Sequence, residues 1–451
     1  MTLAIALAAP TASAQEIGPD DPGVRVQEKA ASPGYLLLAP FEQQYTYLVD
    51  LEGRVAKQWR TSTRPGLSQQ LTEAGQLVRA GNLERAGVWL GAQGAGGRIE
   101  ALAWDASTIW QEDFADDTQM QHHEIEVMPN GHVLAIVWER IDRATALAAG
   151  RDPELLPKDE LWPDKVVEYD PATDQVVWEW HVRDHLVQDR DPDAPSYVKD
   201  VSTRPDRIDV NYVLHEDVPG QPDWNHLNGV DYNAERDEVV LSSRSFSEFW
   251  IIDHATTTEE AKGPAGDLLF RYGNPAAYGN DKGERTLFFQ HDAEWIEPGL
   301  RGAGHILVFN NGSPADRPYS SADEVIPRLD SDGEYVRAPK GGFAADIARV
   351  YPKDEDDDEG DFAAIVSSVQ RLPNGNTLIG YGPQGHVLEV TPKGTVVWEY
   401  ENPYGALRPF SPRSSGAGQP IDSNWFFKVE RYPLDSPAFI GKEAQLAARP
   451  G

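Results

Sequence analysis

The sequence predicts an all-β protein, a six-bladed β-propeller with mostly four-stranded antiparallel blades. Three observations carry that expectation: one hairpin pattern that recurs six times, a second hairpin unit that falls between its copies, and a scarcity of helical periodicity. In the first pattern an alternating strand runs into a turn rich in Asp, Gly, Pro or Thr, and the returning strand ends on an aromatic residue. It is clearest in VVEYDPATDQVVWEW (166–180) and VLEVTPKGTVVWEY (387–400). Fainter copies are YLVDLEGRVAKQW (47–59), RIEALAWDASTIW (98–110) and WIIDHATTTEEAKGPAGDLLFRY (250–272), with IARVY (347–351) as the end of a sixth.

The second unit is strand, tight turn, strand, with PNG or a similar pair where the turn needs positive φ. It is read at EIEVMPNGHVLAIVW (124–138), GVDYNAERDEVVLSS (229–243), AEWIEPGLRGAGHILVF (293–309) and SVQRLPNGNTLIGY (368–381), and more faintly at QLTEAGQLVRAG (70–81). Two hairpins make one four-stranded blade, and irregular repeats of about 50 to 90 residues suit blades that carry insertions. The one helical pattern, in RIDRATALAAGRDPELL (140–156), is placed in a loop between blades. DEDDDEGD (354–361) and DRDPDAP (189–195) are read as solvated loops, RLDSDGEY (328–335) as a hairpin turn, and GAQGAGGR (91–98) as a flexible turn. These acidic segments lack a full calcium-loop spacing, so no metal is assigned to them.

A formal net charge of −33 over 451 residues repels nucleic acid and anionic membranes. The absence of cysteine removes disulfides, thiolate catalysis and cysteine-held metals together. MTLAIALAAPTASA ends in small residues just before Gln15, so residues 1–14 are read as a truncated signal peptide whose start lies upstream, which predicts a periplasmic or secreted protein. No later apolar run approaches the roughly 18 residues that a membrane span needs. Residues 15–33 are then an N-terminal extension, 34–432 the propeller and 433–451 a C-terminal tail.

Histidine falls in register with the second unit. His123, His226 and His291 each stand seven residues before their turn, at Asn130, Asn233 and Pro298. The first strand of a propeller blade lines the central channel, so matching positions in different blades converge on one axis. His132, His305 and His386 follow the turn and are read as structural. Three imidazoles either ligate a metal or supply a nucleophile with acid/base partners. Asn228 shares a strand face with His226, and Arg244 lies eighteen residues on, in the partner strand. A guanidinium and an amide facing imidazoles suit a tetrahedral oxo-anion better than a cation, which favours anion transfer over a metal site.

The segments QHHEIEVMPNG, DWNHLNGVDY followed by LSSRSFSEFWIID, FFQHDAEW followed by ILVFNNG, and RLPNGNTLIG resemble, in order, the signatures of the bacterial arylsulfate sulfotransferases, over about Gly34 to Pro403. The resemblance implies a six-bladed propeller that moves a sulfuryl group between phenols through a transiently sulfated histidine, without the soluble nucleotide sulfate donor. By motif that histidine is His291, while His226, Asn228 and Arg244 match the residues that hold the sulfate. One of His122 and His123 matches the other channel histidine, and its spacing from the turn favours His123. The well-studied members add an N-terminal β-sandwich and a disulfide, so a short form of the family is implied.

The chemistry expected is a neutral His291 as nucleophile, with Arg244 and Asn228 on the sulfuryl oxygens and His226 sharing the contact. His122 or His123 then protonates the leaving phenol and deprotonates the acceptor in a ping-pong cycle. The partners are an aryl sulfate donor and a phenolic acceptor, with no cofactor, and the tryptophans of DWNH and AEWI are candidates for an apolar entrance. The alternatives are a lyase or hydrolase acting on acidic polysaccharide and a non-catalytic binding propeller.

Overall fold

The computed structural model describes residues 23–84, 88–89, 92–156, 158–214, 221–339, 341–353, 362–405 and 424–447. The signal-like residues 1–14 and the run 354–361 lie outside them. Six antiparallel sheets form a ring. Blade 2 runs outward through Arg64–Leu71, Leu77–Asn82, Gly97–Leu102 and Thr108–Asp113, and blade 3 through Gln119–Val127, Val133–Glu139, Asp164–Asp170 and Gln175–His181. Blade 4 is Leu227–Asn233, Glu238–Ser243, Glu248–Asp253 and Phe270–Tyr272, and blade 5 is His291–Trp295, Ile306–Asn310, Ser321–Pro327 and Ala345–Tyr351. Blade 6 is Ser368–Arg371, Thr377–Tyr381, His386–Val390 and Val396–Glu401. Blade 1 closes the ring: the late strand Val429–Pro433 is innermost and pairs with Gly34–Leu38, followed by Tyr45–Val49 and Val55–Arg60.

Each recurring hairpin occupies its expected place, the PNG-type unit as the two inner strands and the aromatic-ended unit as the two outer ones. The helical segment differs: Arg143–Ala148, capped by Asp142, is inserted within blade 3 between its second and third strands, and does not join two blades. In the region read as an extension, Gly23–Gln27 adds a fifth strand to the outer edge of blade 6. Beyond the closing strand, Phe439 and Leu446 pack into the core between blades 1 and 2.

Period-two alternation explains how one strand serves two interfaces. In Glu238–Ser243, Val239 and Leu241 face blade 3 while Val240 faces blade 5. Likewise Leu36 and Leu38 face blade 6 while Leu37 faces blade 2. Six apolar cores result, one at each junction of the ring. The aromatic end of the outer strand also reaches the next blade. The indole N–H of Trp59 donates to the Ala103 carbonyl at 3.1 Å, Trp180 to Gly266 at 2.8 Å and Trp398 to Leu51 at 2.9 Å.

The innermost strands have one unpaired edge each, and side chains of the adjoining blade satisfy it. Glu124 accepts the Val230 N–H, Asp231 that of Trp295, and Asp292 that of Val369. Gln370 accepts from Arg431, Gln69 donates to the Lys428 carbonyl, and Gln70 accepts from Val127. Two of these acids, Asp292 and Glu124, meet Lys428, whose ammonium lies 2.7 Å and 3.0 Å from them and 3.3 Å from Glu294. Burial raises Glu124 to about 8 and Asp231 to about 7, against the lowering charge of Lys428.

Two outcomes follow. Lys428→Met removes the buried ammonium that lies 2.7 Å from Asp292 and should cost about 3–5 kcal/mol in a denaturant titration; a loss under about 1 kcal/mol would show that water or protons neutralise the cluster cheaply. Because the folded cluster holds protons that the unfolded chain releases at an ordinary carboxylate pKa of about 4, stability contributed there is lost as pH rises through about 7 and 8. A melting temperature that climbs over that window would contradict the protonated cluster.

Candidate active site

The inner strands kink at one end of the channel. Blades 2 to 5 each carry a register shift there: at Pro65/Gln69, opposite Ala135/Val137, at Leu227/Gly229 and at His291/Glu294. Non-glycine residues with positive φ occupy the same level: Leu67, His123, His226, Asp292, Val366 and Ser367. Such bulges re-aim side chains, at a cost of about 1–3 kcal/mol for each strained residue. They turn the imidazoles of His122, His123, His226 and His291 into one space.

The rings of His123 and His226 are 4.7 Å apart between centroids, and those of His122 and His226 are 6.5 Å apart. Phe427 touches both His123, at 5.9 Å, and His291, at 6.3 Å. Arg244 sits in the turn between the second and third strands of blade 4. Its backbone N–H bonds the His226 carbonyl at 3.1 Å, and its guanidinium lies 4.6 Å from the Phe289 ring centroid. Asn228 is fully buried at its bulge and donates to the Gln290 carbonyl at 2.8 Å, so it braces the strand that leads into His291.

Each imidazole has a distinct partner. His226 Nδ1 is 2.6 Å from Asp223, which also accepts the Trp138 indole N–H at 3.0 Å. His122 lies flat on Trp138 and contacts Asp164 through Nε2 and His123 through Nδ1, both at 2.8 Å. His291 Nδ1 faces the Asn311 side-chain oxygen at 2.8 Å. Asn311 spends its amide N–H groups on the Ala363 and Val366 carbonyls, so only its oxygen meets the imidazole. That sets the tautomer: Nδ1 of His291 carries the proton and Nε2 the lone pair, which accepts the Val366 N–H at 3.2 Å. Burial, helped by Arg244 and His226, pulls His291 down to about 3 although Asn311 opposes it. Burial likewise drives His122 and His123 well below the ordinary range, with the charge of His226 adding to it.

The tryptophans singled out for an apolar entrance are elsewhere. Trp224 packs on Phe246 and donates to the Tyr212 carbonyl, and Trp295 lies in the core between blades 4 and 5. The apolar wall beside the histidines is instead Leu67, Val366 and Phe427, extended by Phe41, Ile365 and Trp425. Of the segment read as a flexible turn, Gly94 is packed against the site: its φ is +91° and its carbonyl accepts the His123 N–H. A Cβ there would lie 2.0 Å from His123 Cε1. His132, His305 and His386 pair with Glu168, Glu324 and Glu399 away from the channel.

Gly94→Ala therefore forces a ring held between His122 and Phe427, and overpacking of this kind costs about 1–3 kcal/mol. The expected result is that loss of stability together with a displaced His123 ring in a crystal structure of the variant. Unchanged stability and ring position would mean that the 92–97 segment yields easily.

No curated protein matches the chain. Among solved structures, a protein of unknown function from Bacteroides caccae is similar at 13% identity and a TM-score of 0.45, over 83% of this chain and 97% of its own. A virginiamycin B lyase from Staphylococcus aureus is similar at 8% identity and a TM-score of 0.39, over 86% and 88%. Likenesses at this level carry no argument about activity. The sequence profile of the Arylsulfotransferase (ASST) family, by contrast, matches residues 41–402, a span that holds the four channel histidines, Asn228 and Arg244, and the chain belongs to that family.

Proposed function

We propose that this arylsulfotransferase-family protein moves a sulfuryl group from an aryl sulfate to a phenolic acceptor, with Nε2 of His291 carrying the group between the two steps. The observation that supports this most directly is the difference among the imidazole partners. His226 and His122 face carboxylates, which can hold a proton. His291 faces an amide oxygen, which cannot, so it stays neutral with its lone pair on Nε2.

Attack by Nε2 on sulfur breaks the bond to the aryl oxygen, and the electron pair leaves on the phenolate, which takes a proton from His123. The acceptor phenol then loses its proton to His123, its oxygen attacks sulfur, and the pair returns to Nε2. Arg244 and His226 face the charge carried on the sulfuryl oxygens. The Val366 N–H, now on the lone pair at 3.2 Å, is released when the N–S bond forms and is placed to meet a sulfuryl oxygen. Asn311 keeps its hydrogen bond throughout and stabilises the positive charge that the ring gains. The wall around Phe427 receives the aryl ring. Export is part of the same proposal, resting on Ala12-Ser13-Ala14, and a mature protein that begins at Gln15 on N-terminal sequencing would support it.

Intact-mass analysis after mixing with an aryl sulfate should find one added sulfuryl group on the wild type and none on His291→Asn. The variant should lose several orders of magnitude in turnover, well beyond the roughly 1–3 kcal/mol of a lost binding contact. Turnover at a tenth of the wild-type rate or better would reduce His291 to a ligand. Arg244→Lys replaces a planar two-pronged donor by a point charge and should lower kcat/KM at least tenfold, about 1.4 kcal/mol. An unchanged kcat/KM would make Arg244 structural.

A further inference from the structure

In the proposed transfer His123 has two opposite tasks, acid and then base, in a site where burial strongly disfavours an imidazolium. The surroundings of His122 resolve this. Its ring is fully buried against Trp138, with both nitrogens engaged and no face open to a substrate. On one side, Nδ1 meets Nδ1 of His123 at 2.8 Å; on the other, Nε2 meets Oδ1 of Asp164 at 2.8 Å. Asp164 is also fully buried, and its second oxygen is taken by the Leu227 N–H and the Asn225 amide, both at 2.6 Å. Oδ1 is thus the oxygen that can gain or lose a proton, and it points down a line of three groups to the site.

We propose that Asp164, His122 and His123 form a proton wire, with Asp164 as the store and His123 as the outlet. In the loaded state Asp164 is a carboxylic acid, His122 is protonated on Nδ1 and His123 on Nε2. When His123 gives its Nε2 proton to the departing phenolate, the Nδ1 proton of His122 moves to Nδ1 of His123, and the acid proton of Asp164 moves to Nε2 of His122. The carboxylate then carries the charge, and both imidazoles remain neutral. Deprotonation of the acceptor phenol runs the same hops in reverse and reloads Asp164. The surrounding groups favour a stored acid: burial and the nearby Asp223 and Glu139 push Asp164 well up, while burial, with His226 and Arg244 beside it, pushes His123 well down. His122 and Asp164 are positioning and storage groups, and only His123 touches the phenol.

This inference rests on the sulfuryl-histidine reading, and the test separates the two. In Asp164→Asn the Leu227 and Asn225 donors hold the amide oxygen, so the amide NH2 faces His122 and locks the wire without a mobile proton. Donors are then compared by their need for an acid. Phenyl sulfate releases a phenol of pKa about 10, as in tyrosine, and needs a proton; 4-nitrophenyl sulfate releases a stable anion and does not. The variant should lose at least about 100-fold in kcat/KM with phenyl sulfate, as expected for lost general-acid catalysis, while 4-nitrophenyl sulfate changes by less than about fivefold and still labels the protein in intact-mass analysis. Equal losses with both donors, on a wild type that does acquire the sulfuryl group, overturn the wire alone. A wild type that never acquires the group with either donor removes the reading and the wire together. Should the variant not fold, the wild type decides: with phenyl sulfate, rates in mixtures of light and heavy water should curve with deuterium content because several protons move, and a straight line overturns the wire.

Discussion

The molecule depends on how an edge strand is satisfied when its neighbour lies too far away to share a ladder. Every innermost strand presents such an edge to the channel, and carboxylates and amides of the adjoining blade complete it: Glu124 for Val230, Asp231 for Trp295, Asp292 for Val369 and Gln370 for Arg431. The acids that close the ring are therefore drawn together on its axis, where they would repel one another. Lys428, at the start of the last inner strand, offsets that charge only once the chain has come full circle. Closure and charge balance are thus one event, and the apolar cores between blades are held in register by it.

One level along the same strands the priority reverses. Where Glu124 and Asp292 serve the ring, the adjacent His123 and His291 serve the site, and the backbone leaves its ladder to separate the two jobs. Positive φ at His123, His226 and Val366 is strain that ordinary side chains avoid, and glycine would relieve it. Glycine, however, carries no imidazole. It is used instead at Gly94, across from the strained histidine, where removing a side chain lets the neighbouring loop press against the ring.

Much of this is written in the chain at short range. A strand period of two, a PNG-like turn and an aromatic strand end are local signals, and they mark the inner and outer hairpins of five blades. The outer hairpin of blade 1 is marked as well, but its inner pair is not, because its innermost strand is supplied from the far end of the sequence at Val429–Pro433. The channel histidines stood out by their common distance from a turn. Their partners did not: Asn311 and Asp164 come from other segments and share no spacing with the rings they orient, and Asp223, three residues before His226, has no counterpart before the other rings. Asn311 was visible only as part of the NNG run after a strand, and Gly94 had the look of a mere turn because a glycine's close packing is invisible until its neighbour is known. The entrance was misplaced for a similar reason. Trp224 and Trp295 pack within blade cores, and the wall beside the histidines is built from Leu67, Val366 and Phe427 with Phe41, Ile365 and Trp425, residues that share no spacing with the channel histidines.

The ionic cluster around Lys428 has a bearing on traffic. Glu124 and Asp292 directly follow His123 and His291 in their strands and are buried with Lys428, so the histidines are backed by a polar wall. In the transfer proposed for His291, donor and acceptor then share the side of the histidines away from that wall, and a molecule of either kind that lingers there holds up the other. On that proposal, selectivity for the acceptor resides partly in the departure of the spent donor, since the group held on His291 outlasts the molecule that brought it.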